Sequence, residues 1–372
     1  MEKITRILVI NPISISTKIA LYDDEHCIFE RSIFHPSIEL ANFNRVIDQL
    51  HYRKKAVLEE LDQQGINISK LRAVCGRGGL LKPITGGTYQ VNNEMLQDLR
   101  MGYNGEHISN LGGILSFEIA NGLNIPAFIV DPVVVDELDE IARVTGVPEI
   151  RRKSIFHALN HKAVAREIAT ALGKAYSETN LIVAHLGGGI TVGAHRHGQV
   201  IDVNNGLDGD GPFSPERAGT VPAGDLIEMC YSGQYSRDNM LKKIAGTGGL
   251  QAYFQKADLT DINAHLQAGN KHDQLICEAM AYQVAKQIGA MSVVLQGQVD
   301  AIAITGDLAY SKPFVRLISS KIDWISDVFI YPGQNEMQSL ALGTLRVLRN
   351  QEEVKQYPQN RKEEALWHEN MT

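Results

Sequence analysis

Residues 7–35 read ILVINPISISTKIALYDDEHCIFERSIFH, and residues 181–204 read LIVAHLGGGITVGAHRHGQVIDVN. Both follow one grammar: an apolar run, a tight turn of small or polar residues, an alternating strand, a polar turn and another strand. Each predicts a β-hairpin followed by a third strand. A tight turn built from Gly, Ser, Thr or Asn aims backbone N–H and hydroxyl groups into one concavity, which suits phosphate oxygens. Two copies in one chain predict two domains gripping a nucleotide between them, a phosphotransfer architecture.

The rest of the chain extends each hairpin with alternating helices and strands. Val46, Leu50, Val57, Leu58 and Leu61 recur at helical spacing up to Gly65. A strand over 71–75, a glycine-rich loop, helices near 92–100 and 106–122 and a strand over 126–131 follow. The second half repeats the plan with a helix over 157–172, the hairpin set, helices between 222 and 298, a strand over 300–305, a helix over 311–321, a strand over 326–331 and a helix from about 335. Three strands followed by α/β units, twice over, predict an α/β protein of duplicated ribonuclease-H-like domains. The expected domains are 1–148 and 149–337, the second binding nucleotide, with the C-terminal helix of 338–372 completing the first.

Composition narrows the function classes. The chain has 372 residues, a 44% hydrophobic and 21% charged composition and a net charge of −7, the profile of a soluble globular protein with room for two cores. No basic stripe points to nucleic acid. Cys27, Cys75, Cys230 and Cys277 form no C-x-x-C pair, so reduced thiols and a cytoplasmic setting are expected. The first residues lack signal-peptide anatomy, and no apolar stretch is long enough to span a membrane.

The chemistry gathers in five clusters. In GRGGLLKPITGGTYQV (76–91), Arg77 stands among glycines. It is either a surface side chain or a guanidinium fork for a carboxylate, with Gly78 and Gly79 leaving room beside the bound group. GEHISN (105–110) offers His107, and the strand end PAFIVDP (126–132) offers Asp131. Either residue is a substrate contact or a structural cap. In KSIFHALNHKAV (153–164), His157 and His161 share a helical face but lack the third ligand that a zinc site needs. AHLGGGITVG (184–193) is the second phosphate loop, with His185, Gly187, Gly188 and Gly189 as candidates, since three successive glycines suit the close approach of a ligand. Thr305, Gly306 and Asp307 at a strand end suit an adenosine contact. No P-loop and no dinucleotide fingerprint occurs.

Taken together, LVINPxSxSTK, GRGGxxxPxxGGTYxVN, FHALNHK, HLGGGITVG and ITGDLAYS resemble the butyrate kinases and branched-chain fatty-acid kinases, relatives of acetate kinase in the superfamily of actin-like ATPases. The resemblance covers about 5–345, with the motifs in family order. It implies ATP/ADP and Mg²⁺ as cofactors, a short-chain carboxylate as substrate, a cleft between two actin-like domains and a homodimer or higher homo-oligomer. By position it implies Asn11, Ser14, Ser16, Thr17 and Lys18 in the first phosphate loop, and Arg77, with His107, on the acid. It further implies His157 and Asp131 near the reacting phosphoryl group, Gly187, Gly188 and Gly189 in the second phosphate loop, Gly306 and Asp307 at adenosine, and Glu336, with Asn11, at the metal. Two departures stand out. Ile13 occupies a position where the family has glycine, which predicts a re-shaped first turn. Val221 replaces the second active-site arginine, leaving Arg217 as the candidate for its role. Rival readings are an acetate or propionate kinase, and a nucleotide switch of the actin or chaperone kind, which would consume ATP without any carboxylate.

Overall fold

The computed structural model describes residues 4–254 and 258–358. Among these residues the chain divides into two compact units, one running up to Val134 and resumed from Met337, the other lying between Val135 and Glu336.

In the first unit, strands β1 (Arg6–Ile13), β2 (Ser16–Asp23) and β3 (His26–Phe34) form an antiparallel ladder. Next come β4 (Ala73–Gly76), β5 (Thr88–Gln90) and β6 (Ala127–Val130). The sheet order is β3-β2-β1-β4-β6-β5, with β1, β4 and β6 parallel. Strand β1 is buried on both faces: Leu8 and Ile10 join a core with Val57 and Leu61 of the helix Leu50–Gln63 and Ile114 of the helix Asn110–Gly122. The close fit of that second helix depends on glycine, because a Cβ on Gly76 would fall 2.9 Å from the backbone nitrogen of Gly113.

The second unit repeats the order. Strands β7 (Asn180–Leu186), β8 (Ile190–Arg196) and β9 (Gln199–Val203) form the antiparallel ladder, and β10 (Ala301–Gly306) and β11 (Val328–Pro332) extend it in parallel as β11-β10-β7-β8-β9. Alternation divides the strands cleanly between faces. Ile182, Ala184, Val192 and Ala194 meet the helix Lys271–Val294 through Met280 and Val284. Leu181 and Val183 meet the helix Ala158–Ala171 through Val164, Ala165 and Ile168. Three antiparallel strands, then two parallel ones, in the same spatial order is the ribonuclease-H-like sheet, present twice as expected.

The chain passes from the first unit to the second at Val134/Val135, upstream of the 148/149 boundary read from the sequence. The reason is packing: Val135 and Leu138 are buried with Phe156, Val200 and Val203 of the second unit. At the other end, Tyr357 is buried in the first unit, where its hydroxyl donates to Asp98 at 2.5 Å. The helix expected over 338–372 runs Glu336–Leu348, and residues 359–372 of that expectation lie outside the described residues. Among the described residues no helix is long and apolar enough to cross a membrane.

Candidate active site

In the first unit the hairpin turn is held from inside. Ile13 pairs with Ser16, and no residue between Asn11 and Lys18 has positive φ. Ile13 therefore sits in extended backbone, which suits a β-branched residue, and the turn is re-shaped without strain. The fully buried Arg53 fixes it. Its Nη1 donates to the carbonyls of Ile13 at 3.1 Å and Ser16 at 2.8 Å, and its Nη2 donates to that of Ser14 at 2.8 Å. The same Nη1 donates to Thr17 Oγ1 at 3.0 Å, and His35 Nε2 lies 2.8 Å from that hydroxyl. Thr17, expected at phosphate, is thus a buried part of the turn's scaffold. Lys18 pairs with Glu30 at 2.8 Å on the sheet surface. Ser14 is exposed, Ser16 half-buried and Asn11 buried.

Arg77 follows β4, its amide donating to Ile10 at 3.0 Å. His107 lies within its electrostatic reach: partial burial, then the Arg77 charge, push the imidazole below its ordinary pKa. The structure thus brings these two acid-site candidates together. It corrects the reading of the adjacent glycines. A Cβ on Gly78 would fall 2.5 Å from Pro132 Cβ, and one on Gly79 would fall 2.6 Å from Asn110 Cα. The volume their missing side chains leave is filled by the protein itself and not reserved for a longer acid. Asp131 is 1% exposed, with φ of 39°, at the end of β6, and its Oδ1 accepts from the Gly87 amide at 2.6 Å. A non-glycine residue at positive φ is a held conformation of the kind that collects at functional sites.

In the second unit, the start of the helix Ala158–Ala171 meets the end of β7. The His157 ring stacks on the His185 ring at 3.8 Å between centroids, and its Nδ1 lies 3.0 Å from Thr191 Oγ1. His185 is buried, with Nδ1 2.7 Å from Asn160 Oδ1. The triple glycine turn begins two residues after His185. Its close partner is the chain's own segment Ser214–Arg217. Ser214 Oγ donates to the Gly188 carbonyl at 2.6 Å, and the Glu216 amide donates to the same carbonyl at 3.2 Å. The Arg217 guanidinium donates to the Gly206 carbonyl and lies where a Gly189 side chain would stand, its Cζ 2.5 Å from that Cβ position. Burial lowers the Arg217 pKa from its ordinary value, yet an arginine keeps its charge at neutral pH. The close approach that these glycines permit is thus made first by the chain itself, at Gly188 by Glu216 and at Gly189 by Arg217.

Gly306, with φ of 87°, ends β10 against Leu186, and its amide donates to Gly333 at 3.1 Å. Asp307 is exposed and accepts from Gln334 Nε2 at 3.1 Å. Glu336 opens its helix half-buried, just after Asn335 at φ of 40°. Among the described residues no group of three or more His, Cys, Asp or Glu could hold a metal. Glu336 and Asn11 each carry a hard oxygen donor of the kind Mg²⁺ takes. Sequence reasoning did not name Arg53, Asn160, Thr191 or Glu216. The Thr191-Gly193-His195 alternation was the one visible signal for Thr191.

The segment that carries this histidine and glycine cluster has a family match. Residues 144–322 match the family model of the Acetokinase family. Three solved structures share the whole fold. Porphyromonas gingivalis acetate kinase is 18% identical, with 92% of this chain and 100% of that one covered and a TM-score of 0.72. A propionate kinase from Francisella tularensis is 17% identical over 91% and 98%, TM-score 0.70, and acetate kinase from Entamoeba histolytica is 16% identical over 91% and 99%, TM-score 0.72. The fold is therefore the duplicated, actin-like ribonuclease-H-like fold of the acetokinase-type structures, with the acetokinase match centred on the second unit.

Proposed function

We propose that this chain is an acetokinase-type phosphotransferase that moves the γ-phosphoryl group of ATP onto a short-chain carboxylate, and in reverse forms ATP from the acyl phosphate. One observation carries the reading. Within the acetokinase-matching segment, His157 is stacked at 3.8 Å on His185 directly before a triple-glycine turn that holds Arg217 against Gly189. A cation and an imidazole beside one glycine turn are the groups that a transferring phosphoryl needs.

A carboxylate is ionised at neutral pH and needs no general base. Its oxygen attacks the γ-phosphorus, the bond to the β-phosphate oxygen breaks, and that electron pair leaves with ADP. The task is to bring one anion to another, so catalysis is positioning and charge neutralisation. In this reading Arg77, with His107, orients the acid. His157 and Arg217 hold transferring oxygens, while Asn11, Ser14, Ser16, His185 and Gly187 to Gly189 serve phosphates. Gly306 and Asp307 serve adenosine. Asp131 fixes the Gly87 loop and orients the acid side. Glu336 and Asn11 would hold Mg²⁺, which when bound offsets phosphate charge.

The finer reading is a four- or five-carbon acid, butyrate or a branched relative, supported only by the resemblance of the GRGG and FHALNHK motifs to those of the butyrate and branched-chain fatty-acid kinases. Acetate or propionate is the second reading, favoured by the named activities of the solved acetate and propionate kinases. Two further buried methylenes are worth about 0.8 kcal/mol each, so a butyrate site prefers butyrate over acetate by roughly tenfold to a few hundredfold. An acyl-hydroxamate assay with ATP, Mg²⁺ and acids from acetate to isovalerate tests both levels. Product that peaks at four or five carbons supports the finer reading, and a peak at two or three replaces it with the second. Flat traces with every acid, from folded protein that binds ATP, would remove the kinase reading altogether.

A further inference from the structure

His157 is the outermost member of a line of polar side chains that crosses the second unit between the helix Ala158–Ala171 and β8. Its Nδ1 lies 3.0 Å from Thr191 Oγ1. The same hydroxyl lies 2.9 Å from His161 Nε2. His161 Nδ1 lies 3.3 Å from His195 Nε2, the two rings stacked within 9° of parallel. His195 Nδ1 lies 2.7 Å from the hydroxyl of Tyr176, which is half-buried. Thr191 and His195 stand on the same face of β8, and Gly193 between them makes room for His161, whose Nδ1 lies 3.3 Å from the absent Cβ. His161, Thr191 and His195 are fully buried.

We propose that Thr191, His161, His195 and Tyr176 act as positioning residues, a hydrogen-bonded relay that decides which ring nitrogen of His157 carries its proton. A neutral imidazole has one N–H and one acceptor, and a hydroxyl has one proton. If the Tyr176 hydroxyl donates to His195 Nδ1, His195 must donate from Nε2 to His161 Nδ1. His161 then donates from Nε2 to Thr191, and Thr191 donates to His157 Nδ1. His157 is left protonated on Nε2. Where the Thr191 hydroxyl gives its one proton to one of the two histidines and accepts from the other, reversing one link reverses them all, and His157 then carries its proton on Nδ1.

Burial holds both His161 and His195 well below the ordinary histidine pKa, so both stay neutral, as either direction requires. One observation favours the first direction. At the far end, the Tyr176 ring lies 5.7 Å from Lys162 Nζ and 5.5 Å from Arg166 Cζ. Lys162 is ion-paired with Glu137 at 2.9 Å, but it is the cationic member of that pair, with Arg166, that lies against the ring, and this favours a phenol oxygen that gives its proton away and not one that receives another. On the proposed function, from which the value of this arrangement follows, His157 then presents a neutral Nε2–H donor for a phosphoryl oxygen. Its orientation is fixed before substrate arrives, as second-layer hydrogen bonds fix catalytic and metal-bound histidines.

The test reads tautomers from ring-nitrogen chemical shifts in protein labelled with ¹⁵N-histidine, substrate-free at neutral pH, the His157, His161 and His195 signals being assigned by single His→Gln variants. The relay requires all three to share one tautomer, with the proton on Nε2. A mixed set, or Nδ1–H at His157, overturns it. His195→Glu supplies an acceptor only, beside Lys162, and should turn both His161 and His157 to Nδ1–H; a His157 that stays unchanged while His161 turns would show that Thr191 does not pass the order on. Should that variant not fold, the wild-type tautomers decide alone. Thr191→Val should lower kcat about tenfold with KM within twofold. Because the spectra need no substrate, failure of the relay is separable from failure of the kinase reading, which the hydroxamate assay detects.

Discussion

The two hairpin turns occupy the same place in the two sheets and are built on opposite principles. The Ile13–Ser16 turn has no glycine and no positive φ; a buried arginine ties down three of its carbonyls from beneath. The Gly187–Gly189 turn has nothing but glycine, and the Ser214–Arg217 strap lies upon it from outside. A turn can thus be fixed by filling the space within it or by clearing the space above it. Glycine marks the second solution, and the close neighbour it admits is first a piece of the same chain, with a guanidinium at its tip. The first solution leaves its signature elsewhere in the sequence, at Arg53, where no turn motif would direct attention.

The largest expected effect tests the functional half of the contrast. Arg77→Ala should lower kcat/KM about a thousandfold with unchanged circular dichroism and melting temperature; a loss below tenfold would remove Arg77 from the acid. Next, Arg53→Met should cost about 3 kcal/mol in urea unfolding, since it strands buried carbonyls of the first turn. A cost under about 1 kcal/mol would mean that the turn holds itself.

The same scaffold makes a pH prediction. Burial, and then the Arg53 charge, push His35 down to about 4, and its buried Nδ1 has no hydrogen-bond partner. The unfolded chain takes up this proton near pH 6.5 and the folded one only near 4, so stability is lost as pH falls through that window. The loss should be about 2–3 kcal/mol and should vanish in His35→Gln, read as the difference between the two stability–pH curves. Parallel curves would show that His35 is not the group responsible. Gly189→Ala should displace the Arg217 guanidinium and cut kcat about tenfold or more, with ATP binding retained. At the small end, Ile13→Gly should cost only about 0.5–1 kcal/mol and leave turnover within twofold, because nothing in the first turn uses glycine. A gain in activity there would mean that the re-shaped turn limits catalysis.

Most of the fold was legible because it rests on local patterns. The apolar alternation of β1 and β7, the glycine stops and the helical repeats of Val57 and Leu61 each announce themselves within a few residues. The unit boundary was not legible, because Val135 and Leu138 commit to the second core through contacts with Val200 and Val203, far away in sequence. At the site, the residues that stood out in the sequence were those with an unusual neighbourhood, Arg77 among glycines and His157 with His161 at the start of a helix. What misled was the meaning of glycine. Gly78 and Gly79 look like room for substrate, yet they are filled by Pro132 and Asn110, which lie some distance along the chain. Thr17 looks like a phosphate contact, yet its hydroxyl faces Arg53 and His35. Spacing shows that a close approach exists; only the folded neighbours show whose approach it is.

The most direct test of the central claim is ³¹P NMR of the protein with MgATP, with and without butyrate. ADP and an acyl-phosphate resonance should rise together, only when the acid is present, and both should vanish in Arg77→Ala. ATP loss to inorganic phosphate at the same rate with and without any carboxylate would contradict the claim and leave a nucleotide switch in place of a kinase.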